Sequence, residues 1–141
     1  MINGMDAAGF LQHLQRLRQH VWAELGPLVR ARGLAAGTLL MLEAVERHPH
    51  PTELSREIGM PPPTVSRLLK SLEADGYVVR ATDPADLRRY RFALTPAGLA
   101  LRAEVRTSTE AVVERMLGRL SSDDRADLER LLVHVAERPD A

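Results

Sequence analysis

Apolar side chains recur every third or fourth residue over the first part of the chain, from about residue 6 to residue 32. This spacing places them in one stripe on a helix, and the stripe must be buried against another surface. Proline removes a backbone donor and clashes with the preceding turn, so Gly26-Pro27 predicts a kink or a break. The stripe consists of Phe10, Leu14, Leu17, Val21, Leu25 and Leu28.

Apolar residues resume between Leu34 and Val45 and predict a second helix, which the alternating histidines and prolines of residues 48–51 end. Thr52 is the expected N-cap of a short third helix, because its hydroxyl can accept from a free backbone N–H of the first turn. Gly59 favours the left-handed conformation that ends such a helix. A stiff connection through Met60-Pro61-Pro62 follows, and the next helix is expected to begin at Pro63.

The fourth helix has two distinct faces. Val65, Leu68, Leu69 and Leu72 follow the spacing i, i+3, i+4, i+7 and are expected to pack inward. Hydroxyls near a helix N-terminus suit phosphate groups, and an arginine on such a helix can contact a guanine edge. A solvated face is the simpler interpretation of such a helix taken alone. The opposite face carries Pro63, Arg67 and Lys70, flanked by Thr64, Ser66 and Ser71.

A two-stranded hairpin is expected after Gly76. Residues 77–80 are typical of a strand, Asp83-Pro84 marks a turn, and apolar and polar residues alternate over 89–94 with the period of a second strand. Arg88 and Arg89 then lie near the tip, where a projecting arginine can enter a narrow minor groove. Asp86 is placed either to orient Arg88 or to cap the turn.

Two further helices are expected in the last third of the chain. Thr95-Pro96 is a good N-terminus for the first, and residues 121–124 begin the second, whose apolar stripe ends before Pro139. The stripe of the second is Leu128, Leu131, Leu132 and Val135. These stripes either close on each other in a monomer or pack against a second copy of the chain.

Composition limits the possible functions. The chain has 141 residues, 45% of them hydrophobic, which fits one globular domain. It has no cysteine, so a disulfide, a thiolate nucleophile and a cysteine-bound zinc are excluded. No apolar run approaches the ~20 residues of a membrane-spanning helix, and no signal sequence is visible, so the cytoplasm is the expected location. Acidic and basic residues balance at 19 each, and Lys70 is the only lysine.

Neither an enzyme nor a metal protein is indicated. The chain has five histidines but no clear cluster of histidines and carboxylates, so surface or loop positions are expected for them and no metal site is predicted. Ser55 and Ser66 have no histidine and aspartate arranged in a recognisable catalytic motif. No glycine-rich phosphate loop appears, and no cofactor is expected. The histidines are His13, His20, His48, His50 and His134.

Helix, tight turn, helix and basic hairpin together resemble the winged helix-turn-helix of the MarR family of bacterial transcription regulators. The resemblance rests on motifs in residues 52–98 and on the helix order over nearly the whole chain. Leu87 departs from the family pattern, which often has an arginine there, and the prolines at 61–63 remove backbone donors near phosphate. The motifs are Glu53-Leu54-Ser55, Thr64-Val65-Ser66-Arg67, Leu72-Glu73-Ala74-Asp75-Gly76-Tyr77, Asp86-Leu87-Arg88 and Leu94-Thr95-Pro96-Ala97-Gly98.

The resemblance implies a mainly α fold with a small β-hairpin wing, in a single domain over residues 1–141. Residues 52–95 would form the DNA-binding lobe, and residues 1–47 and 97–138 the dimerisation helices. It further implies a homodimer, more often a repressor than an activator, that binds double-stranded DNA at a pseudo-palindromic operator.

The resemblance assigns the minor-groove contact of the wing to Arg88. Many members of the family bind a small aromatic or anionic effector and then release DNA. Trp22 and Met41 are candidates for lining an effector pocket, although both are also suited to a core. The alternative from another class is a winged-helix module that binds proteins and not DNA. The near-neutral charge and Leu87 favour that alternative slightly.

Overall fold

A computed structural model describes residues 4–137, which form six helices and one two-stranded antiparallel sheet. This architecture confirms the mainly α fold with a hairpin wing. The last helix ends at Ala136, before Pro139 as expected, whereas the lobe limits at residues 1 and 138 lie outside the described residues. The elements are α1 Ala7–Ala31, α2 Gly37–Ala44, α3 Pro51–Ile58, α4 Pro62–Ala74, β1 Val78–Asp83, β2 Asp86–Leu94, α5 Pro96–Leu117 and α6 Ser122–Ala136.

The core lies where α2, α3 and α4 meet the first strand and the start of α5. All four inward residues expected on α4 are buried, and Leu69 is only 1% exposed. Burying a leucine or valine side chain stabilises a fold by about 1.5–3 kcal/mol, so this helix is held mainly by its inner face. The fully buried side chains are Met41, Leu42, Leu54, Leu69, Leu72, Val45, Val65 and Thr38.

The first helix is continuous where a kink or break was expected. Asp6 caps it by accepting from the amide of Gly9 at 2.7 Å, and Pro27 lies inside the helix with its ring exposed. The prediction of a break is therefore wrong. Leu25 and Val29, on either side of Pro27, are both buried, and their packing offsets the one hydrogen bond that proline removes.

Two predicted helix starts are also wrong. α3 begins at Pro51, with His50 as its N-cap, so Thr52 already lies in the first turn. α4 begins at Pro62 and not at Pro63, because Pro61 takes the extended conformation, with ψ 144°, that a residue before proline favours. The first turn of a helix leaves its N–H groups free, so it accepts successive prolines without losing a hydrogen bond.

Three other local expectations are confirmed. Gly59 and Gly76 end α3 and α4 in the left-handed region, with φ of 66° and 80°. Thr95 caps α5 by accepting from the amide of Gly98 at 3.1 Å. These turns set the direction in which the hairpin leaves α4 and in which α5 returns to the core.

The hairpin is tied to the helices at its base. Val78 pairs with Leu94 and Arg80 with Phe92, and the register shifts next to the turn, between Thr82 and Asp83. The amide of Phe92 donates to the carbonyl of Pro49 at 2.8 Å, which joins β2 to the connection between α2 and α3. The wing is therefore anchored to the helix-turn-helix by backbone as well as by side chains.

The last helix contrasts with the rest of the fold. No residue of α6 is buried, and most of its stripe is at least half exposed. Leu11, Leu14 and Leu17 on the first half of α1 are also more than half exposed.

Within the described residues, none of the helices combines the length and the hydropathy needed to cross a membrane.

Candidate nucleic-acid interface

The outer face of α4 presents nearly all of the residues proposed from the sequence. Thr64 is half-buried and the other five are exposed, on the side of the helix opposite to Leu68, Leu69 and Leu72. The face therefore carries two cations, Arg67 and Lys70, among short hydroxyl side chains. The exposed residues are Pro63, Ser66, Arg67, Lys70 and Ser71.

Arg67, Lys70 and Arg88 are all exposed, and none has a carboxylate oxygen within 4.0 Å among residues 4–137. Several arginines of the helical scaffold, formed by α1, α2, α5 and α6, are instead paired. Such pairs cancel charge locally, so a chain with no net charge can still present positive potential at its head, residues 52–95. The scaffold pairs include Arg102–Glu46 at 2.5 Å, Arg106–Glu43 at 2.7 Å, Arg115–Glu24 at 3.0 Å and Arg125–Glu114 at 2.6 Å.

The tip of the wing projects Leu87 and Arg88. Leu87 is 80% exposed, and Arg88 is exposed beside it. The carboxylate of Asp86 accepts from the backbone amide of Arg88 at 3.0 Å. Asp86 therefore fixes the backbone of the turn at Arg88, and any effect on the guanidinium is indirect.

Arg89 differs from its neighbour because it is already bound within the protein. Its guanidinium donates to Glu53 of α3 at 2.9 Å. This hydrogen bond to Arg89, with a smaller contribution from His50, holds the pKa of Glu53 below its usual range. The structure thus places Arg89 as a link between the wing and α3, and Arg88 as a wing cation that is open to a partner.

His50 is a functional candidate that the sequence analysis missed. Its Nδ1 lies 3.0 Å from Glu53 and its Nε2 lies 2.5 Å from Asp83, and its side chain is only 17% exposed. The amide of Ala85, followed by His50, holds the pKa of Asp83 below its usual range. A weak signal existed in the sequence, because Glu53 follows His50 by three residues, the spacing of a capping box.

Arg80 and Tyr90 were also missed. The guanidinium of Arg80 lies 4.6 Å above the ring centre of Tyr90, a cation–π contact, and 3.9 Å from Glu73. Both residues line a small cavity of about 130 Å³ that also contacts Ser66 and Lys70 of α4. They are diagonal neighbours on one face of the hairpin, a relation that requires the strand register.

The two candidates for an effector pocket separate in the structure. Trp22 is half-buried and lines a cavity of about 480 Å³ between α1, α2 and α5. Met41 is fully buried in the core and does not line this cavity. Arg106, at the edge, is held by Glu43, and this hydrogen bond raises the pKa of Arg106. The other lining residues are Arg18, Val21, Leu25, Leu39, Leu40, Val105, Thr109 and Glu110.

The histidines form no metal site in the part of the chain that the structure describes. No group of three or more histidine, aspartate or glutamate side chains between residues 4 and 137 is arranged to hold a metal ion. His48 lies near Glu57 at 3.5 Å, and His50 bridges two carboxylates. The histidines nearest the head therefore serve as partners of carboxylates.

Comparison with known proteins gives a consistent result. Residues 32–89 match a family model described as MarR family. The HTH-type transcriptional repressor Rv2887 of Mycobacterium tuberculosis is 29% identical over 118 residues, which cover 82% of this chain and 82% of that repressor.

Solved structures of such proteins share the fold. The Mycobacterium tuberculosis MarR family protein Rv2887 in complex with salicylic acid gives a TM-score of 0.72 at 24% identity, over 96% of this chain and 100% of that one. The transcriptional repressor CouR bound to a 23-mer DNA duplex gives a TM-score of 0.74 at 24% identity, over 94% of this chain and 93% of that one.

Proposed function

Because residues 32–89 match the model of the MarR family of transcription regulators, we propose that this chain is a member of that family and a homodimeric repressor that binds a pseudo-palindromic DNA operator. The observation that carries the proposal is the set of cations without carboxylate partners, among residues 4–137, on α4 and the wing tip. These cations occupy the two elements that a winged helix-turn-helix brings to DNA. Residues 52–95 would read DNA, while residues 1–47 and 97–138 would hold two copies together.

The outer face of α4 is proposed to enter the major groove. Arg67 is placed to contact a guanine edge through two hydrogen bonds, and Lys70 to contact phosphate. The hydroxyls of Thr64, Ser66 and Ser71 would add phosphate contacts, and Pro63 would pack against the backbone. Arg88 would enter the minor groove, where negative potential is enhanced in narrow A·T-rich segments.

An apolar groove between α1, α5 and α6 supports the homodimer. It has a volume of about 950 Å³ and is lined mainly by apolar side chains, several of which are more than half exposed. A second copy of the chain would cover these side chains and would place two heads about one DNA turn (~34 Å) apart. The apolar lining is Leu11, Leu14, Leu17, Val21, Val113, Met116, Leu117, Leu120, Leu128 and Leu132.

Salt and mutations test DNA binding directly. Operator fragments selected from the source genome are titrated with wild type, Arg67→Ala, Arg88→Ala and the control Arg30→Ala, in which an exposed arginine at the end of α1 is lost. Arg67→Ala is expected to cost about 1–3 kcal/mol and to relax base preference, whereas Arg88→Ala weakens binding by loss of the wing contact. Each lost phosphate contact reduces the salt slope by about 1.

A salt-independent binding curve, or unchanged affinity for Arg88→Ala at fixed salt, would contradict this assignment. The first result would favour the protein-binding module, because phosphate contacts release counterions. Failure to select any inverted repeat would argue against the operator.

The cavity beside Trp22 is proposed to hold a small aromatic or anionic effector. Its volume of about 480 Å³ and apolar lining suit such a molecule, and an anion would compete with Glu43 for Arg106. Trp22 is the only tryptophan of the chain, so its fluorescence can report binding of salicylate, the ligand of the Mycobacterium tuberculosis relative. An effector that prefers a head spacing unsuited to DNA would lower DNA affinity by that preference.

A further inference from the structure

We propose that Arg80, held in place by Tyr90, binds a phosphate group of the DNA strand that passes between α4 and the wing. The inference rests on the proposed DNA-binding function and adds a contact outside the outer face of α4 and the wing tip. Arg80 pairs with Phe92, which is buried, so both lie on the inner face of the hairpin. Arg80 and Tyr90 line a cleft of about 130 Å³ (the wing cleft) together with Ser66 and Lys70 of α4.

The proposed orientation on DNA brings a strand to the wing cleft. α4 would lie in the major groove, and the tip of the wing in the neighbouring minor groove. One sugar-phosphate strand separates two neighbouring grooves, so this strand must cross the space between α4 and the wing. The wing cleft opens into that space, because side chains of α4 line one side of it and side chains of β1 and β2 line the other.

The size and the charge of the wing cleft suit a phosphate group. Pockets for drug-sized molecules have volumes of about 300–1,000 Å³, so a cleft of about 130 Å³ is too small for such a ligand. Of the described residues that line it, Lys70 and Arg80 are cations and Glu73 is the one acid. The hydroxyl of Ser66 adds a donor, and phosphate oxygens can accept from all three of these donor side chains.

The guanidinium of Arg80 is both available and held in place. A carboxylate oxygen of Glu73 lies 3.9 Å from its Nε, which is too far for a hydrogen bond, and the side chain is 49% exposed. The ring of Tyr90 lies 4.6 Å from the guanidinium carbon. A guanidinium has five N–H donors, so a contact with the ring leaves donors for phosphate oxygens. Tyr90 therefore acts as a positioning residue that reduces the entropy Arg80 loses on binding.

The salt dependence of DNA binding measures this contact in the full-length protein. Each phosphate contact contributes about 0.9 to the slope of log K against log salt concentration, and a dimer carries two copies of Arg80. Arg80→Ala is therefore expected to reduce the slope by about 1.8 and, near about 0.15 M salt, the affinity by about thirtyfold. The loss should be similar for the operator and for unrelated DNA, because phosphates carry no base information. Arg80→Lys keeps the cation and should restore most of the slope.

Neutral phosphate analogues in the operator identify the partner of Arg80. Methylphosphonate linkages are placed one at a time along the strand between the two grooves. Wild type is expected to lose affinity at one linkage in each half-site, whereas Arg80→Ala should lose nothing there, because its contact is already absent. Arg91→Ala is the matched control and should keep the wild-type sensitivity. Arg91 is an exposed arginine of the same hairpin, but it pairs with Ala81 on the opposite face.

Two variants of Tyr90 test the positioning role. Tyr90→Phe keeps the ring and should bind DNA nearly as wild type does, whereas Tyr90→Leu removes the ring and should weaken binding by about fivefold, the scale of an exposed cation–π contact. In an Arg80→Ala background, Tyr90→Leu should cost nothing further, because the guanidinium that it positions is gone. A full additional loss in that background would refute the role of Tyr90.

The outcomes separate this inference from the proposed function. If Arg67→Ala and Arg88→Ala weaken binding while Arg80→Ala keeps the wild-type salt slope, the inference is refuted and the proposed function stands. Equal losses of slope in Arg80→Ala and Arg91→Ala would also refute it, because the effect would then be one of overall charge. If none of these variants alters binding and binding does not depend on salt, the proposed function fails, and this inference fails with it.

Discussion

Helices α4 and α6 carry apolar residues at the same spacing but bury them to opposite extents. Val65, Leu68, Leu69 and Leu72 on α4 are all buried, whereas the matching positions on α6 include none that is. Leu69 is 1% exposed, and its counterpart Leu132 is 53% exposed. An apolar stripe in the sequence therefore predicts that a helix face must be buried. Only the tertiary structure shows whether other elements of the same chain bury it.

This difference agrees with the proposed division of roles. The inner face of α4 is buried within one chain, which holds its outer face, with Arg67 and Lys70, in a fixed orientation toward DNA. α6 leaves its stripe open in a groove shared with α1 and α5. The head would then contact DNA with a surface that is fixed within one chain. The scaffold, which would pack on a second chain, would set the distance between the two heads.

Charging the open stripe should have the largest effect. Leu132→Asp would place a carboxylate in the proposed interface and is expected to raise the dimer dissociation constant by at least about a hundredfold, or about 2.7 kcal/mol, because the buried charge has no partner. Sedimentation over a range of protein concentrations measures the change, and operator affinity should fall with it.

Ala126→Asp is the matched control for that variant, because it adds the same charge on the opposite side of α6. It should leave self-association unchanged. A Leu132→Asp protein that remains dimeric would show that the open stripe of α6 is not the interface.

Truncating the two matched leucines should separate the two kinds of burial. Leu69→Ala is expected to lower the free energy of unfolding by about 2–5 kcal/mol at every protein concentration, because it leaves a cavity inside one chain. Leu132→Ala should destabilise only at concentrations at which wild type dimerises. Urea denaturation at high and low concentration makes the comparison, and a similar, concentration-independent loss for both would remove the distinction.

The junction between the head and the scaffold tolerates less change than the far end of α5. A Cβ added at Gly98 would lie 2.0 Å from the carbonyl oxygen of Tyr77, which also accepts from the amide of Thr95. Gly98→Ala is therefore expected to cost about 1–3 kcal/mol, because α5 must move away from the wing base.

Gly118→Ala provides the contrast at the other end of α5. Its added Cβ would approach the carbonyl oxygen of Glu114 no closer than 3.2 Å, and Gly118 has a helical φ of −64°. Thermal unfolding should show a much smaller change than for Gly98→Ala. Equal losses would show that the clash with Tyr77 is relieved without cost.

Low pH should slightly lower the free energy of unfolding through Asp83, at the end of the first strand of the wing. The pKa of Asp83 is held low by Ala85 and His50, so its contribution to stability is complete above the unfolded value, about 3.9, and is lost as the pH falls through the folded value. The hydrogen bond from Arg125 likewise lowers the pKa of Glu114. Glu114 is more exposed than Asp83, so solvent screens its contribution to stability.

Thermal unfolding from pH 6 to pH 3 tests this point with Asp83→Asn and Glu114→Gln. Asp83→Asn should reduce the loss of stability at low pH more than Glu114→Gln does. A larger reduction from Glu114→Gln would place the acid-sensitive group in the scaffold.

Local patterns predicted the parts of the fold that depend on neighbouring residues. The two faces of α4, the left-handed Gly59 and Gly76, and the cap by Thr95 all follow from spacing and side-chain chemistry within a few residues. The exact helix starts at 51 and 62 did not follow, because adjacent prolines allow two starts that local rules rank nearly equally.

The candidate site divides in the same way. Arg67 and Lys70 on an outer face could be predicted, because a helical period decides which side they occupy. The pairing of Arg89 with Glu53 joins residues 36 positions apart, and that of His50 with Asp83 spans 33 positions. Hydropathy patterns along the chain do not predict such long-range contacts. The sequence therefore gave Arg88 and Arg89 the same predicted role, and only the packing of the wing against α3 distinguishes them.

The amino-acid sequence by itself determined which surfaces are apolar, where chain direction changes, and that the cations of the head lie on one helix face and one hairpin. Tertiary structure alone decided that Pro27 is accepted within a continuous helix, that the stripe of α6 stays open, and that His50 joins α3 to the wing. The physical reason is range. Periodicity and capping act within one or two turns of the chain, whereas burial and ion pairing depend on distances that exist only after the elements have packed.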